Sequence, residues 1–200
     1  MKRWILMLVA VLAVGCAGGG GGSGWTTLID GEKGMENFNR TGDANWRAEG
    51  GAIVADKASV SSFLVTKASY ADFQIRAEFW ADHHTNSGIF IRAQDPKKIG
   101  AANSYEVNIY DQRPGQEYST AGIVDFAKVP VPAIYKAGGK WNTFEITARG
   151  SRITVVFNGQ TAVDFEHYAF TKGPFGLQFA NHGKVPGGAI KWRKVQVREL

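Results

Sequence analysis

Apolar side chains recur at every second position through most of this chain, and no stretch of ten or more residues holds a helical period. From Asp72 to Trp80 the alternation puts Phe73, Ile75, Ala77 and Phe79 on one face and Gln74, Arg76, Glu78 and Trp80 on the other. Ser87 to Gln94 repeats it, with Ile89, Ile91 and Ala93 opposite Gly88, Phe90, Arg92 and Gln94. Tyr105, Val107 and Ile109 alternate with Glu106, Asn108 and Tyr110, and Phe144, Ile146 and Ala148 with Thr143, Glu145, Thr147 and Arg149. Arg152–Phe157 and Thr161–Phe165 flank Asn158-Gly159, a pair whose tolerance of positive φ suits a two-residue hairpin turn. Gly176–Ala180 and Ile190–Val197 close the series. Many short strands with turn signals between them predict an all-β fold, sandwich or barrel. A two-sheet antiparallel β-sandwich is favoured, because stacked sheets bury one face of each strand and leave the other wet.

The chain has 200 residues, 44% of them hydrophobic and 12% aromatic, enough for one domain with a real core and too apolar for disorder. Its single cysteine, Cys16, forbids an internal disulfide. Met1-Lys2-Arg3 forms a short basic start, and Trp4–Val14 is an apolar run too short to span a bilayer as a helix. Leu12-Ala-Val-Gly-Cys16 is similar to the lipobox cut by lipoprotein signal peptidase, with small Gly15 before the cut and Ala13 where leucine is usual. The expected organisation is a signal peptide over residues 1–15, a lipidated Cys16 with a Gly/Ser tether over 16–24, and one β-domain over 25–200. An ordinary secretory signal with an incidental cysteine is the alternative. Lipidation would make this an exported protein held at the cell envelope, in the periplasm or at the outer membrane, by acyl chains sufficient for stable attachment.

The formal charge of +5 includes Lys2 and Arg3, which leaves +3 after them. Lys191, Arg193, Lys194 and Arg198 cluster near the C-terminus without an aromatic-and-basic recognition motif, so they read as a solvated strand face and nucleic acid is not an expected partner. Serine-hydrolase elbows, zinc-protease motifs, paired Cys-x-x-Cys and phosphate loops are all missing from the sequence. What can carry chemistry is a set of strand-borne polar residues, Glu78, Arg92, Glu106, Asn108 and Asp111, with His83, His84 and His182 in flanking loops. If their strands are neighbours, Glu78, Arg92 and Glu106 share one sheet face, where they would form a catalytic group or a solvated ion-pair ladder. Trp80, on the polar side of its strand, is a candidate stacking platform for a sugar.

Leu28-Ile-Asp-Gly31, Trp46–Ile53, Tyr70–Phe79, Asn86–Arg92, Tyr105–Asp111, Trp141-Asn142, Phe157–Gly159, Gly173–Gln178 and Ile190–Leu200 occur in order, and together they resemble the 3-keto-disaccharide hydrolase family. Asn108 stands where that family often has glutamine, and His182 falls later after Gln178 than in many members. The resemblance implies a concanavalin-like jelly roll and a two-enzyme chemistry. A separate sugar 3-oxidoreductase makes the C3 ketone, and this domain then cleaves the glycosidic bond of the 3-keto sugar. The ketone acidifies the C2 proton, a base removes it, the enolate expels the C1 substituent and water adds back. On this reading Glu106 or Asp111 is the base, Arg92 the oxyanion stabiliser and Glu78 or His182 the acid. Asn86, Ser87, Asn108 and Gln178 then orient the substrate beside Trp80. A divalent cation could take the arginine's role. A non-catalytic glycan-binding lipoprotein on the same fold is the competing expectation.

Overall fold

A computed structural model describes residues 24–181 and 187–200. Among them the chain forms β1 (Thr26–Asp30), β2 (Phe38–Thr41), β3 (Arg47–Glu49), β4 (Ala52–Ala55), β5 (Ser62–Thr66), β6 (Phe73–Ala81) and β7 (Ser87–Ile91). β8 (Tyr105–Ile109), β9 (Lys140–Arg149), β10 (Arg152–Phe157), β11 (Gln160–Glu166), β12 (Gly176–Phe179) and β13 (Ile190–Glu199) follow. Every strand pairing is antiparallel. One sheet has eight strands in the order β11-β10-β9-β6-β13-β4-β3, with β1 also on β13; the other has five in the order β2-β5-β12-β7-β8. The protein is therefore an all-β, two-sheet antiparallel sandwich, as the alternation predicts.

The inward rows of both sheets merge into one core, with Ile75, Phe79, Ile89, Tyr105, Phe144 and Trp192 all essentially inaccessible. Phe79 lies stacked 5.1 Å from Phe144 and tilted 5.6 Å from Trp192, contacts that add about 0.5–1.5 kcal/mol per aromatic pair beyond their buried area. At the β10–β11 turn Asn158 and Gly159 have φ of 48° and 82°, the doubly left-handed geometry that Asn-Gly permits. The five strands before Phe73 escape a period-two reading for a local reason. β4 and β5 are buried on both faces, so every residue is withdrawn and nothing alternates, while β3 is only three residues long.

The three-residue convergence expected from parity does not form. β6, which carries Glu78, belongs to the larger sheet, whereas β8, which carries Glu106, and β7, which ends just before Arg92, belong to the smaller one. Glu78 and Glu106 face outward from opposite sides of the sandwich, with the core between them.

Candidate functional site

The outward face of the smaller sheet gathers polar groups around a notch. Val107 and Ile109 of β8 point into the core, so Glu106 and Asn108 point out; on β12, Leu177 and Phe179 point in and Gln178 points out. Gly88 of β7 is the cross-strand partner of Asn108. Continuing the β12–β7 register of Leu177 with Ile89 by one residue sets Gln178 level with Gly88 on its other side. Two inter-strand steps, about 10 Å, thus separate Asn108 from Gln178, with a residue lacking a side chain between them. A Cβ on Gly88 would lie 3.0 Å from the Val107 carbonyl oxygen and 3.5 Å from Glu106 Cγ. Phe63, Val65 and Phe90 with Ile99 form a second apolar cluster that closes one end of this face.

Three features make this notch a candidate binding surface. Asn108 is fully buried and donates from Nδ2 to the Tyr118 carbonyl at 2.6 Å, yet its Oδ1 has no partner. Gln178, 7% exposed, donates from Nε2 to Ser61 Oγ at 3.2 Å, and its Oε1 has no partner either. Buried acceptors without donors are costly in a folded protein, so two on one face point to hydroxyl or N–H donors that arrive with a ligand. Glu106 stands beside them. Burial pushes its carboxyl up to about 7, against the opposing pull of Arg113 and with a further push from the charge of Asp125. A carboxylate poised near neutrality in a polar notch is a candidate acid–base group.

The other expected site residues lie elsewhere or do other work. Arg92 follows β7 with φ of 54°, a left-handed conformation that takes it out of the strand alternation. Its guanidinium is 1% exposed and donates to the carbonyls of Ala71 (2.7 and 3.0 Å), Gly150 (2.8 Å) and Phe170 (3.2 Å), with Asp72 Oδ1 at 3.4 Å. It clamps three chain segments together, with its donors already spent on these backbone and carboxylate acceptors. Asp111 accepts from the Thr120 hydroxyl and from the N–H groups of Ala137 and Gly138, at 2.6–3.0 Å, so its carboxylate fastens two loops and is not a free base. Ser87 is fully buried, with its hydroxyl given to the Gln178 carbonyl at 2.5 Å. Asn86 precedes β7, and its N–H is held by Asn181 Oδ1 at 2.7 Å. Glu78 is ion-paired to Arg193 at 2.9 Å, and Trp80 lies under Lys191 Nζ at 4.8 Å; both belong to the outer face of the other sheet. His83 and His84 sit exposed in the loop after β6. His182 and Cys16 lie outside the described residues.

Arg113 and Asp125 escape the sequence reading. They come from loops after β8, where no periodicity marks them, and only the fold brings their charges to bear on Glu106. Among the described residues no group of three or more His, Cys, Asp or Glu side chains is placed to hold a metal ion.

With this geometry in place, comparison with known proteins becomes informative. Residues 24–198 match the model of the 3-keto-disaccharide hydrolase family, described as a 3-keto-alpha-glucoside-1,2-lyase-like domain. The chain belongs to that family. This 3-keto-disaccharide hydrolase family member is therefore a carbohydrate-related domain of the hydrolase type. It is similar to a solved protein from Parabacteroides distasonis proposed to be a glycosyl hydrolase, at 26% identity and a TM-score of 0.70, covering 88% of this chain and 99% of that one. The sandwich also resembles the carbohydrate-binding module CBM66 from Bacillus subtilis (16% identity, TM-score 0.55, 88% and 96% covered). A Bacillus subtilis protein with a galectin-like fold gives 10% identity, a TM-score of 0.62 and coverage of 86% and 93%. These last two likenesses concern the fold alone. No curated protein sequence matches the chain.

A substitution at the floor of the notch checks its role. Gly88→Ala would put a methyl group between Asn108 and Gln178, in tight contact with Val107. It is expected to lower kcat/KM on the family's substrate class by up to about 10²-fold, because ångström-scale misplacement of reacting groups costs that much. Steady-state kinetics beside a thermal melt separate this from simple unfolding.

Proposed function

We propose that this domain cleaves the glycosidic bond of 3-keto sugars, with Glu106 as the base that removes the C2 proton. The observation that carries the proposal is Glu106 itself, desolvated, titrating near 7, and flanked by the unpartnered acceptors of Asn108 and Gln178. An ordinary carboxylate is too weak a base for most C–H bonds. Here burial strengthens it while the substrate ketone weakens the C2–H bond, and the two pKa values approach each other. Removal of that proton leaves its electron pair in the enolate, with the charge on the C3 oxygen; as the ketone re-forms, the pair moves into the C1–C2 bond and the C1–O bond to the aglycone breaks. Water then delivers OH to C1 and H to C2, so the sum is hydrolysis. Arg113, the cation already acting on Glu106, takes the role of enolate stabiliser in place of Arg92 in this reading. Asn108 Oδ1 and Gln178 Oε1 accept from sugar hydroxyls. The leaving oxygen takes its proton from a second group; Glu78, on the opposite face, cannot supply it, and His182 follows Gln178 by four residues in the sequence.

This chemistry needs a sugar 3-oxidoreductase upstream, since the unoxidised sugar has no acidic C2 proton. Acylation of Cys16 would place the domain at the cell envelope. Turnover of a 3-keto disaccharide with no turnover of the parent disaccharide is the expected result. Binding of the parent sugar with conversion of neither would instead identify a glycan-binding module.

A further inference from the structure

The outer face of the eight-stranded sheet brings together what the sequence keeps apart. Trp80 and Trp141 are direct cross-strand partners on β6 and β9, and Lys191 of β13 is the partner of Trp80 on its other side. Arg193, beside an irregularity in the β13 register, lays its guanidinium 4.2 Å over Trp141, which is 38% exposed. At the far end of the same strands Arg76 and Arg198 sit 4.6 and 4.8 Å over Trp25. The outward charges of the two central strands are Arg76, Lys191, Arg193, Lys194 and Arg198 against Glu78 alone; β9 adds one of each sign, Glu145 and Arg149. The aromatic interleaving missing around residues 191–198 in sequence is thus supplied in space by neighbouring strands.

Partly exposed tryptophans among lysines and arginines are the composition of a membrane–water interface, where amphipathic rings sit at headgroup level and basic side chains meet lipid phosphates. The chain also joins the domain here, because Trp25 packs on this face. Residues 16–24 can span at most about 30 Å, so a lipid on Cys16 would hold the domain within that distance of the bilayer. We propose that this face is a membrane-contact surface that rests on anionic phospholipid headgroups and leaves the Glu106 face turned away toward soluble substrate. The contact is independent of the sugar chemistry; only the short tethering distance draws on the Cys16 anchor.

The test uses the mature chain from Ala17 onward, so that neither an acyl group nor the apolar run Trp4–Val14 contributes, mixed with vesicles of phosphatidylcholine alone or with phosphatidylglycerol. Lysines are acetylated with a water-soluble reagent and read by mass spectrometry. Lys191 and Lys194 are expected to be protected only on phosphatidylglycerol vesicles, while Lys97 and Lys98, in the loop over the smaller sheet, react equally in both. Protection should vanish at ~1 M salt, where the screening length is about 3 Å. Lys191→Glu with Lys194→Glu should weaken vesicle partition by at least about tenfold. Equal reactivity of Lys191 and Lys194 on both vesicle types, or protection that ignores salt and phosphatidylglycerol, would overturn the proposal. The salt series on the unsubstituted face needs no charge reversal to fold. Loss of acylation at Cys16 in cells would refute the anchor without touching this result.

Discussion

Glu106→Gln is expected to abolish turnover and, at pH 8, to make the protein more stable than its parent. Loss of a positioned base costs on the order of 10²–10⁴-fold in rate. The stability gain follows from proton linkage. In the folded protein the Glu106 carboxyl titrates near 7, above its ordinary value of 4.5. Between those two values the folded chain holds a proton that the unfolded chain has released, so stability falls as pH rises through the window and levels off above about 7. The shift corresponds to about 3 kcal/mol of stability lost by pH 8, an amount the uncharged glutamine does not forfeit. Urea midpoints for parent and variant should therefore nearly coincide at pH 4 and separate at pH 8. If the midpoints keep the same spacing at both pH values, Glu106 is not desolvated as described. The same ionisation sets the rate: as a base, Glu106 should make kcat/KM climb through pH 7 before reaching a plateau.

Arg92→Leu should have the largest effect on stability, about 3–5 kcal/mol, through the loss of a buried charge clamp. The substitution strips donors from the carbonyls of Ala71, Gly150 and Phe170 and leaves them facing an apolar side chain. Thermal unfolding should show a drop of about 6–20 °C, given roughly 2–4 °C per kcal/mol for a domain of this size. Activity per folded molecule should stay near that of the parent. Normal stability with lost activity would return Arg92 to the role of oxyanion stabiliser.

These two residues show what the sequence makes legible. The alternation through Phe73–Phe79, Tyr105–Ile109 and Phe144–Ala148 identifies the strands and their wet faces, and it correctly sets Glu106 opposite Val107. Parity, however, gives only a residue's side of its own strand. It cannot assign strands to sheets, and here β13 crosses back to lie between β6 and β4, far from β7 and β8. Arg92 departs for a different reason. Parity presumes extended backbone, and one left-handed residue at the end of β7 breaks it. Arg113 and Asp125 reach Glu106 from loops, and the tryptophan–cation pairs form across strands remote in sequence, so neither leaves a local signal.

Removal of the C2 proton by Glu106 separates this account from every ordinary glycosidase mechanism, and the fate of a C2 deuterium tests it. A 3-keto disaccharide labelled at C2 should lose its deuterium to water as the parent protein cleaves it, faster than label exchanges from the substrate alone, from the isolated product, or with Glu106→Gln. Cleavage that leaves the deuterium on C2 of the product would contradict the account.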